Sequence, residues 1–350
     1  MLCMEAQTRV QASALRNDSL ATWAEVSEHR AWNGLLVGNG ASMAIWSRFG
    51  YSSLFDEAQK PVLQNPLDSQ AIGLFSKLKT TNFEGVLAAL KTAGDVSEAL
   101  SLGSQAMRTT YKGVQTALFE AVAGVHIQRS QIDDLCLSSI RGALRSHRIV
   151  FSTNYDLLLY WAVMSPGDAL GFADYFWAGD HIFDVWNVGV WGENTTRLLY
   201  LHGGLHLERL DDGRTRKRVA QGVDLLSSFS TRYEDARTPL LVSEGTSEDK
   251  FAAMARSDYL SFALGSLAAF EDPLVIFGHA LGDQDTHIIQ ALRKHPARPL
   301  AIAIHQSTPD VRAAKDRFYA ALRSDLIFFF DSETHPLGAP SLRAADPFGL

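Results

Sequence analysis

Short apolar runs along this chain alternate with longer segments whose apolar residues recur at helical spacing. Six runs have the length of a strand, namely residues 34–37, 148–152, 197–201, 274–277, 299–305 and 325–330. Helical spacing separates the last three, over residues 285–295 and 311–322. Such an alternation is typical of a parallel sheet whose strands are joined by crossover helices. We therefore predict an α/β fold, a Rossmann-like parallel sheet with flanking helices.

The interval between the first two predicted strands is too long for one crossover. Within it, residues 83–90, 107–125 and 132–144 each keep helical spacing of their apolar positions. We predict a helical insertion over 63–146, so that the nucleotide-binding domain is discontinuous and made of 31–62 and 147–335. The insertion either walls the ligand crevice or makes contacts in an oligomer, and the pattern does not distinguish the two.

Composition limits the classes of function. The chain has 350 residues, of which 46% are hydrophobic and 20% charged, which is ordinary for a globular protein. A formal net charge of −7 argues against direct nucleic-acid binding. Residues 1–18 lack the apolar core of a signal peptide, and no apolar run is long enough to span a bilayer, so we expect a cytoplasmic protein without membrane contact.

Four short motifs stand where predicted strands end. They are Gly38-Asn39-Gly40-Ala41-Ser42, Ser152-Thr153-Asn154-Tyr155-Asp156, Leu201-His202-Gly203 and Gly278-His279-Ala280-Leu281-Gly282-Asp283. In a parallel α/β sheet the carboxyl ends of the strands form the ligand crevice. We therefore expect the four motifs to line one site.

The residue types in these motifs suit a dinucleotide. Gly38 and Gly40 are expected to take positive φ and to let backbone N–H groups approach a phosphate at a helix N-terminus. Asn154 and Asp156 suit the binding of a ribose and its neighbouring groups, or simply cap the next helix. The imidazole of His202 can take a proton from a ribose hydroxyl or from water.

In this order the motifs resemble those of the sirtuin family, G-A-G-I-S, T-Q-N-I-D, L-H-G and G-T-S-L. The pattern is most similar to divergent sirtuin-like proteins of bacteria that hydrolyse NAD in antiphage defence. The resemblance implies that Asn154 positions a water and the nicotinamide ribose, that Asp156 binds the carboxamide of nicotinamide, and that His202 is the catalytic histidine. It further implies NAD-binding residues at Gly38, Asn39, Gly40, Ala41, Ser42, Thr153, Tyr155, Gly278, His279 and Asp283.

The same resemblance implies an NAD glycohydrolase that releases nicotinamide and ADP-ribose and depletes NAD during phage infection. Proteins of this kind commonly act as oligomers and beside an ATPase or a helicase-like partner, so we expect a homo-oligomer and such a partner here. NAD is expected as the substrate.

The chain departs from protein-deacylating sirtuins in its cysteines. Those sirtuins bind zinc through four cysteines just after the His-Gly strand, whereas this chain has only Cys3 and Cys136. In that position Asp211-Asp212-Gly213 lies between two segments that can each form a β-strand, which predicts a β-hairpin. The absence of the zinc module argues against deacylation and leaves NAD cleavage intact.

Three alternatives stay open. The first is a non-catalytic sensor that binds NAD or an ADP-ribose derivative and controls a partner, and the second is a deacylase or protein ADP-ribosyltransferase. The third is a metallohydrolase that uses His202, His206, Asp283, Asp285 and His287. Metal ligation by His202 and His206 at this spacing requires a helix, and Gly203-Gly204 interrupts one, so we expect no metal.

Two segments carry no assigned role. Residues 243–250 form a polar stretch rich in small residues, which is either a loop over the ligand or an ordinary surface loop. Residues 175–191 are rich in aromatic side chains, which favours packed core over a ligand pocket.

Overall fold

The computed structural model has an α/β architecture built on one seven-stranded parallel sheet. It describes residues 19–28, 30–165, 171–187, 192, 194–210, 212–219, 225–226, 239–242 and 247–345. Within those residues the predicted fold class is confirmed. No described helix combines the length and the hydrophobicity needed to cross a bilayer.

The large sheet has the strand order β10-β9-β8-β1-β2-β4-β3, with every pair parallel. Its strands are β1 (Gly34–Val37), β2 (Ile149–Ser152), β3 (Phe172–Ala173), β4 (Thr196–Tyr200), β8 (Leu274–Phe277), β9 (Leu300–Ile304) and β10 (Ile327–Asp331). All six predicted strands are present, to within about two residues at their ends. The central strand β1 is buried along its whole length, because helices cover both faces of a parallel sheet.

The strand order places the topological switch point beside β1. The chain runs from β1 to β2 and β4 on one side, and then returns to β8 on the other side before continuing to β9 and β10. Ligands of open α/β sheets bind at such a point, outside the carboxyl ends of the strands. The four sequence motifs follow β1, β2, β4 and β8, the four strands around this point.

The described helices are α1 (Trp23–Ser27), α2 (Asn39–Ile45), α3 (Tyr51–Ala58), α4 (Ser69–Leu78), α5 (Phe83–Ala99), α6 (Gln105–Val125), α7 (Asp134–Arg145), α8 (Leu158–Met164), α9 (Ser247–Ala255), α10 (Asp258–Ala269), α11 (Thr286–Arg293) and α12 (Val311–Leu322). Four of them, α4 to α7, lie within the predicted insertion over 63–146, where α5 packs on α6. The helix α3 packs on α6 as well. The helix α7 leads directly into β2 and packs against α8.

A small antiparallel sheet follows β4 in the chain. The strands β5 (Gly203–Arg209) and β6 (Thr215–Lys217) form the predicted hairpin, and β7 (Pro239–Leu241) pairs with the other edge of β5. Gly203 has a φ of +78°, and a Cβ there would lie 1.8 Å from the carbonyl oxygen of Leu240. A side chain at this position would therefore separate β5 from β7.

The turns after β1 and β8 touch each other through glycines. Gly40 donates its backbone N–H to the carbonyl of Gly278 over 2.8 Å, and a Cβ on Gly38 would lie 2.6 Å from that same oxygen. Gly38 has a φ of −115° and Gly40 lies inside α2, so the predicted positive φ at these two glycines is wrong. The left-handed conformation belongs instead to Gly278, with a φ of +68°.

We predict that Gly278→Ala destabilises the protein far more than Gly213→Ala. Both glycines have positive φ, which costs an L-residue about 1–2 kcal/mol. A Cβ at Gly278 would also lie 2.3 Å from the backbone nitrogen of Ala41, whereas at Gly213 the nearest atom is 3.9 Å away, on the flexible side chain of Arg209. We expect the free energy of unfolding in urea to fall by about 1 kcal/mol in Gly213→Ala and by at least about 2 kcal/mol more in Gly278→Ala.

An equal decrease in the free energy of unfolding in the two variants would show that the turns after β1 and β8 can move apart without loss of stability. That result would contradict the close approach described here.

Candidate active site

A cavity of about 340 Å³ opens at the carboxyl ends of β1, β2, β4 and β8. This volume is at the lower end of the usual range for ligand pockets. Its lining combines polar residues from the four motifs with apolar and aromatic side chains from α3, α5 and α6. Such a mixture provides both binding area and a few oriented polar groups.

Most of the predicted site residues meet at this cavity. Nine of them line it, namely Asn39, Gly40, Thr153, Asn154, Tyr155, Asp156, His202, Gly278 and His279. Gly38, Ala41 and Ser42 lie in the adjoining turn and first turn of α2 without lining it. Asp283 has an exposed side chain and is outside the lining.

The backbone N–H groups at the start of α2 are largely committed within the protein. Gly40 donates to Gly278, and Ala41 donates to the carbonyl of Gly38. Asn39 uses its side-chain amide to donate to the carbonyl of Phe49 over 3.0 Å. The glycine turn therefore acts first as a packing junction between two strand ends.

Asn154, Ser42 and Asp156 form a directed chain of hydrogen bonds. The amide Nδ2 of Asn154 donates to Ser42 Oγ over 2.8 Å, and Ser42 Oγ donates to Asp156 Oδ2 over 2.5 Å. The second carboxylate oxygen of Asp156 accepts the backbone N–H of Leu158 over 2.8 Å, at the start of α8. Asp156 thus holds Ser42 and caps the helix at the same time.

This chain fixes the orientation of the Asn154 amide. A hydroxyl has one hydrogen to donate, and Ser42 gives it to a carboxylate that can only accept, so Asn154 must present its NH₂ group to Ser42. Its carbonyl oxygen Oδ1 is buried and has no hydrogen-bond partner in the described structure. A buried acceptor without a partner is costly. Asn154 belongs to the cavity lining, where a bound ligand can supply a donor.

His202 is buried at the end of β4 and contacts a second histidine. Its Nε2 lies 2.8 Å from Nε2 of His287, in the first turns of α11. Burial, followed by the nearby charge of Lys250, holds the pKa of His202 well below its usual value. Burial is also the main cause that lowers the pKa of His287 to about 4. Both imidazoles are therefore neutral near pH 7.

A buried ion-pair cluster connects three separate parts of the chain beside these histidines. The ammonium of Lys250 in α9 is fully buried and lies 3.0 Å from Glu84 Oε2 and 3.2 Å from Asp285 Oδ1. Glu84 belongs to α5 of the insertion, and Asp285 ends a 3-10 turn, Asp283–Asp285, after β8. Asp285 also lies 3.9 Å from Nε2 of both His202 and His279.

The charges in this cluster shift one another's pKa values. Burial alone would raise the pKa of Asp285, but Lys250 and the neighbouring imidazoles lower it to about 2. Burial opposes the charge on Lys250, yet its two carboxylate partners raise its pKa above the usual value. For Glu84, burial outweighs Lys250 and leaves the pKa raised.

The insertion forms a wall of the cavity. Phe83 and Glu84 from α5 and Leu118 and Val122 from α6 line it. The first of the two roles left open by the sequence is therefore realised in this structure. Tyr51 from α3 lies on the same side, and burial raises the pKa of its hydroxyl, helped by the charges of Glu84 and Asp285.

Sequence reasoning missed Glu84 and Lys250. Glu84 follows the N-cap Asn82, where an acidic residue ordinarily complements the helix dipole. Lys250 ends the polar segment 243–250, and the structure places it in α9; residues 243–246 lie outside the described residues.

Among the aromatic residues of 175–187, Phe176 is buried in the core while Trp177 and Trp186 are exposed; Trp191 lies outside the described residues.

The metal ligands considered from sequence are only partly brought together. His202, Asp285 and His287 present ligand atoms that lie within 4.8 Å of one another. His206 instead packs against Tyr160 and Tyr200, and Asp283 is exposed. Three of the five residues therefore meet in space, although His202 and His287 are 85 positions apart in sequence, and the absence of a metal stays a prediction.

Comparison with known proteins gives the family of the chain. Residues 35–337 match the family model described as "Domain of unknown function (DUF4917)". The chain belongs to this family, and the match spans the large sheet, the insertion and the cavity. A search of the curated proteins finds no significant match.

We predict that Lys250→Met destabilises the protein by about 3–5 kcal/mol, because it leaves two buried carboxylates without their cation. Methionine keeps the length of the side chain and fills the same space. The matched control is Lys91→Met, which removes an exposed ion pair with Asp95 in α5 and should cost about 0.5 kcal/mol or less. Urea unfolding followed by circular dichroism measures both.

If the free energy of unfolding falls no further in Lys250→Met than in Lys91→Met, the ion-pair cluster is hydrated and contributes little to stability. The joining of α5, α9 and the turn after β8 would then need another explanation.

Proposed function

We propose that this protein is an NAD glycohydrolase whose catalytic centre is the cavity at the switch point. The observation that carries the proposal is Asn154, which lines the same cavity as His202, has its amide held in one orientation and has no hydrogen-bond partner for its buried Oδ1. An oriented acceptor can position the attacking water, and a neutral imidazole can accept its proton. The motif resemblance to NAD-hydrolysing sirtuin-like proteins supports the same choice.

The reaction breaks the bond between C1′ of the ribose and the pyridinium nitrogen. Nicotinamide leaves with the bonding electron pair, and the ribosyl centre develops oxocarbenium character as in glycoside hydrolysis. Water then adds to C1′ and loses one proton, so that the products are nicotinamide, ADP-ribose and H⁺. The enzyme must hold the ribose, orient the water and accept that proton.

The residues of the cavity are suited to these tasks. Asn154 Oδ1 accepts a hydrogen bond from the attacking water or from a ribose hydroxyl, and the contacts from Ser42 and Asp156 keep it in place. His202 takes the proton, since burial keeps its imidazole neutral. Asp156 has carboxylate lone pairs left for the carboxamide of nicotinamide, in addition to the two hydrogen bonds it already accepts.

The charge of the cavity agrees with a cationic end of the substrate. Glu84, Asp156 and Asp285 all line it, and Lys250 is the cation paired with two of them. A pyridinium ring carries one positive charge, whereas the pyrophosphate of NAD carries negative charge. The nicotinamide riboside end of NAD therefore suits this cavity better than the phosphates do.

We further propose, from the resemblance alone, that the cellular role is the depletion of NAD in antiphage defence. A homo-oligomer and an ATPase or helicase-like partner remain predictions from that same resemblance.

We predict that Asn154→Ala and His202→Ala each lower kcat for NAD hydrolysis at least about 100-fold while NAD binding stays within about tenfold. The matched controls are Asn33→Ala and His295→Ala, which make the same chemical changes at residues outside the cavity lining. Chromatography of nicotinamide and ADP-ribose gives the rates, and calorimetry gives the affinities.

Tight NAD binding without turnover under any condition would favour the non-catalytic sensor instead. A His202→Ala variant with nearly normal kcat would remove His202 from the mechanism.

A further inference from the structure

Three metal-ligating side chains converge at the edge of the cavity. One ring nitrogen each from His202 and His287 and a carboxylate oxygen of Asp285 lie within 4.8 Å of one another. They come from the end of β4, from α11 and from the turn after β8, and so from three separate elements. Within the described part of the chain, no other group of three such residues meets in this way.

The distances are close to those of a metal centre. Two ligands of a tetrahedral Zn²⁺ at bond lengths of about 2.0–2.1 Å lie about 3.3 Å apart. Here His202 Nε2 is 2.8 Å from His287 Nε2 and 3.9 Å from Asp285 Oδ1. The ligand atoms of His287 and Asp285 lie within 4.8 Å of each other, so the three side chains must move closer together to share one ion.

The donor set selects a class of ion. Two imidazole nitrogens and one carboxylate suit Zn²⁺ or another divalent first-row transition ion, while Mg²⁺ and Ca²⁺ prefer oxygen ligands. Three protein ligands also leave a fourth position for water or a substrate atom. The side of the trio that carries His202 and Asp285 faces the cavity.

We propose that His202, Asp285 and His287 bind one Zn²⁺-like divalent transition ion, and that this ion inhibits the enzyme by occupying the imidazole of His202. The inhibitory part rests on the proposed function, whereas the binding part does not. An ion bound to a ring nitrogen of His202 leaves that nitrogen unable to accept the proton released by the attacking water.

The neighbouring Lys250 weakens the attraction of the three ligands for a cation. Its ammonium shares Asp285 Oδ1 and repels a second cation, but Glu84 balances part of that charge. The carboxylate of Asp285 attracts the ion, but less strongly than it would without the ammonium beside it.

The binding test uses metal-free full-length protein titrated with Zn²⁺ against a chromophoric chelator. We expect one ion per chain, and at least about a 100-fold weaker affinity in His287→Gln and in Asp285→Asn, because each loses a direct ligand. His305→Gln, which alters an exposed histidine, is the matched control and should bind as the wild type does. Mg²⁺ should not compete. Thermal unfolding of each variant without metal verifies that it is folded.

The activity test measures NAD hydrolysis over the same range of Zn²⁺, relative to the metal-free rate of each protein. We expect inhibition of the wild type at the concentrations at which the ion binds, and no inhibition of His287→Gln over that range. Wild type and His287→Gln with equal affinities would overturn the site, whatever the outcome with NAD.

Zn²⁺ that binds at the trio without inhibition, or activity that a chelator abolishes and Zn²⁺ restores, would overturn the inhibitory role. Failure of NAD hydrolysis in the absence of metal would instead count against the proposed function, while the titration would still decide the binding site.

Discussion

The close contact between the turns after β1 and β8 is the constraint on which the site depends. Gly40 donates to the carbonyl of Gly278, and no side chain fits between the two turns at Gly38, Gly40 or Gly278. This contact brings two strands from distant parts of the sequence together at the switch point. It also sets the start of α2, from which Ser42 reaches Asn154 and Asp156.

A second layer of interactions places charge beside that junction. Lys250 bridges Glu84 of the insertion and Asp285 of the core, and it is completely buried while doing so. A buried ammonium is stable only beside groups that compensate its charge, here the carboxylates of Glu84 and Asp285. The ion pairs therefore favour one relative position of α5, α9 and the turn after β8. The hydroxyl of Tyr155 donates to the carbonyl of Val242, which joins the small sheet to the same region. The histidine pair thus lies within a polar environment that is organised before any ligand binds.

Much of this could be predicted from the sequence, because it follows from local signals. The buried parallel strands appear in the sequence as continuous apolar runs. Because β1, β2, β4 and β8 lie in one parallel sheet, the motifs that follow them lie at the same edge of that sheet. The hairpin at Asp212-Gly213 has a turn signature of its own. The conformations of Gly38 and Gly40 could not be predicted in this way, because close approach to Gly278 depends on a strand far along the chain.

The side chains that complete the site carried no local signal. Glu84 has the sequence context of an ordinary helix N-terminus, and Lys250 lies in a polar stretch like many on protein surfaces. Their burial results from tertiary packing between the insertion, α9 and the turn after β8. The same is true of His287, whose contact with His202 joins residues 85 positions apart.

Hydrolysis of NAD in H₂¹⁸O, with mass spectrometry of the products, tests the central claim most directly. If the cavity orients water onto C1′ of the ribose, ADP-ribose gains a single ¹⁸O at its anomeric position and nicotinamide gains none. The mass spectra must be recorded soon after the enzyme and NAD are mixed, because the anomeric oxygen of ADP-ribose also exchanges with water. Label on a phosphate, which would mean cleavage of the pyrophosphate, or NAD recovered unchanged would contradict the account.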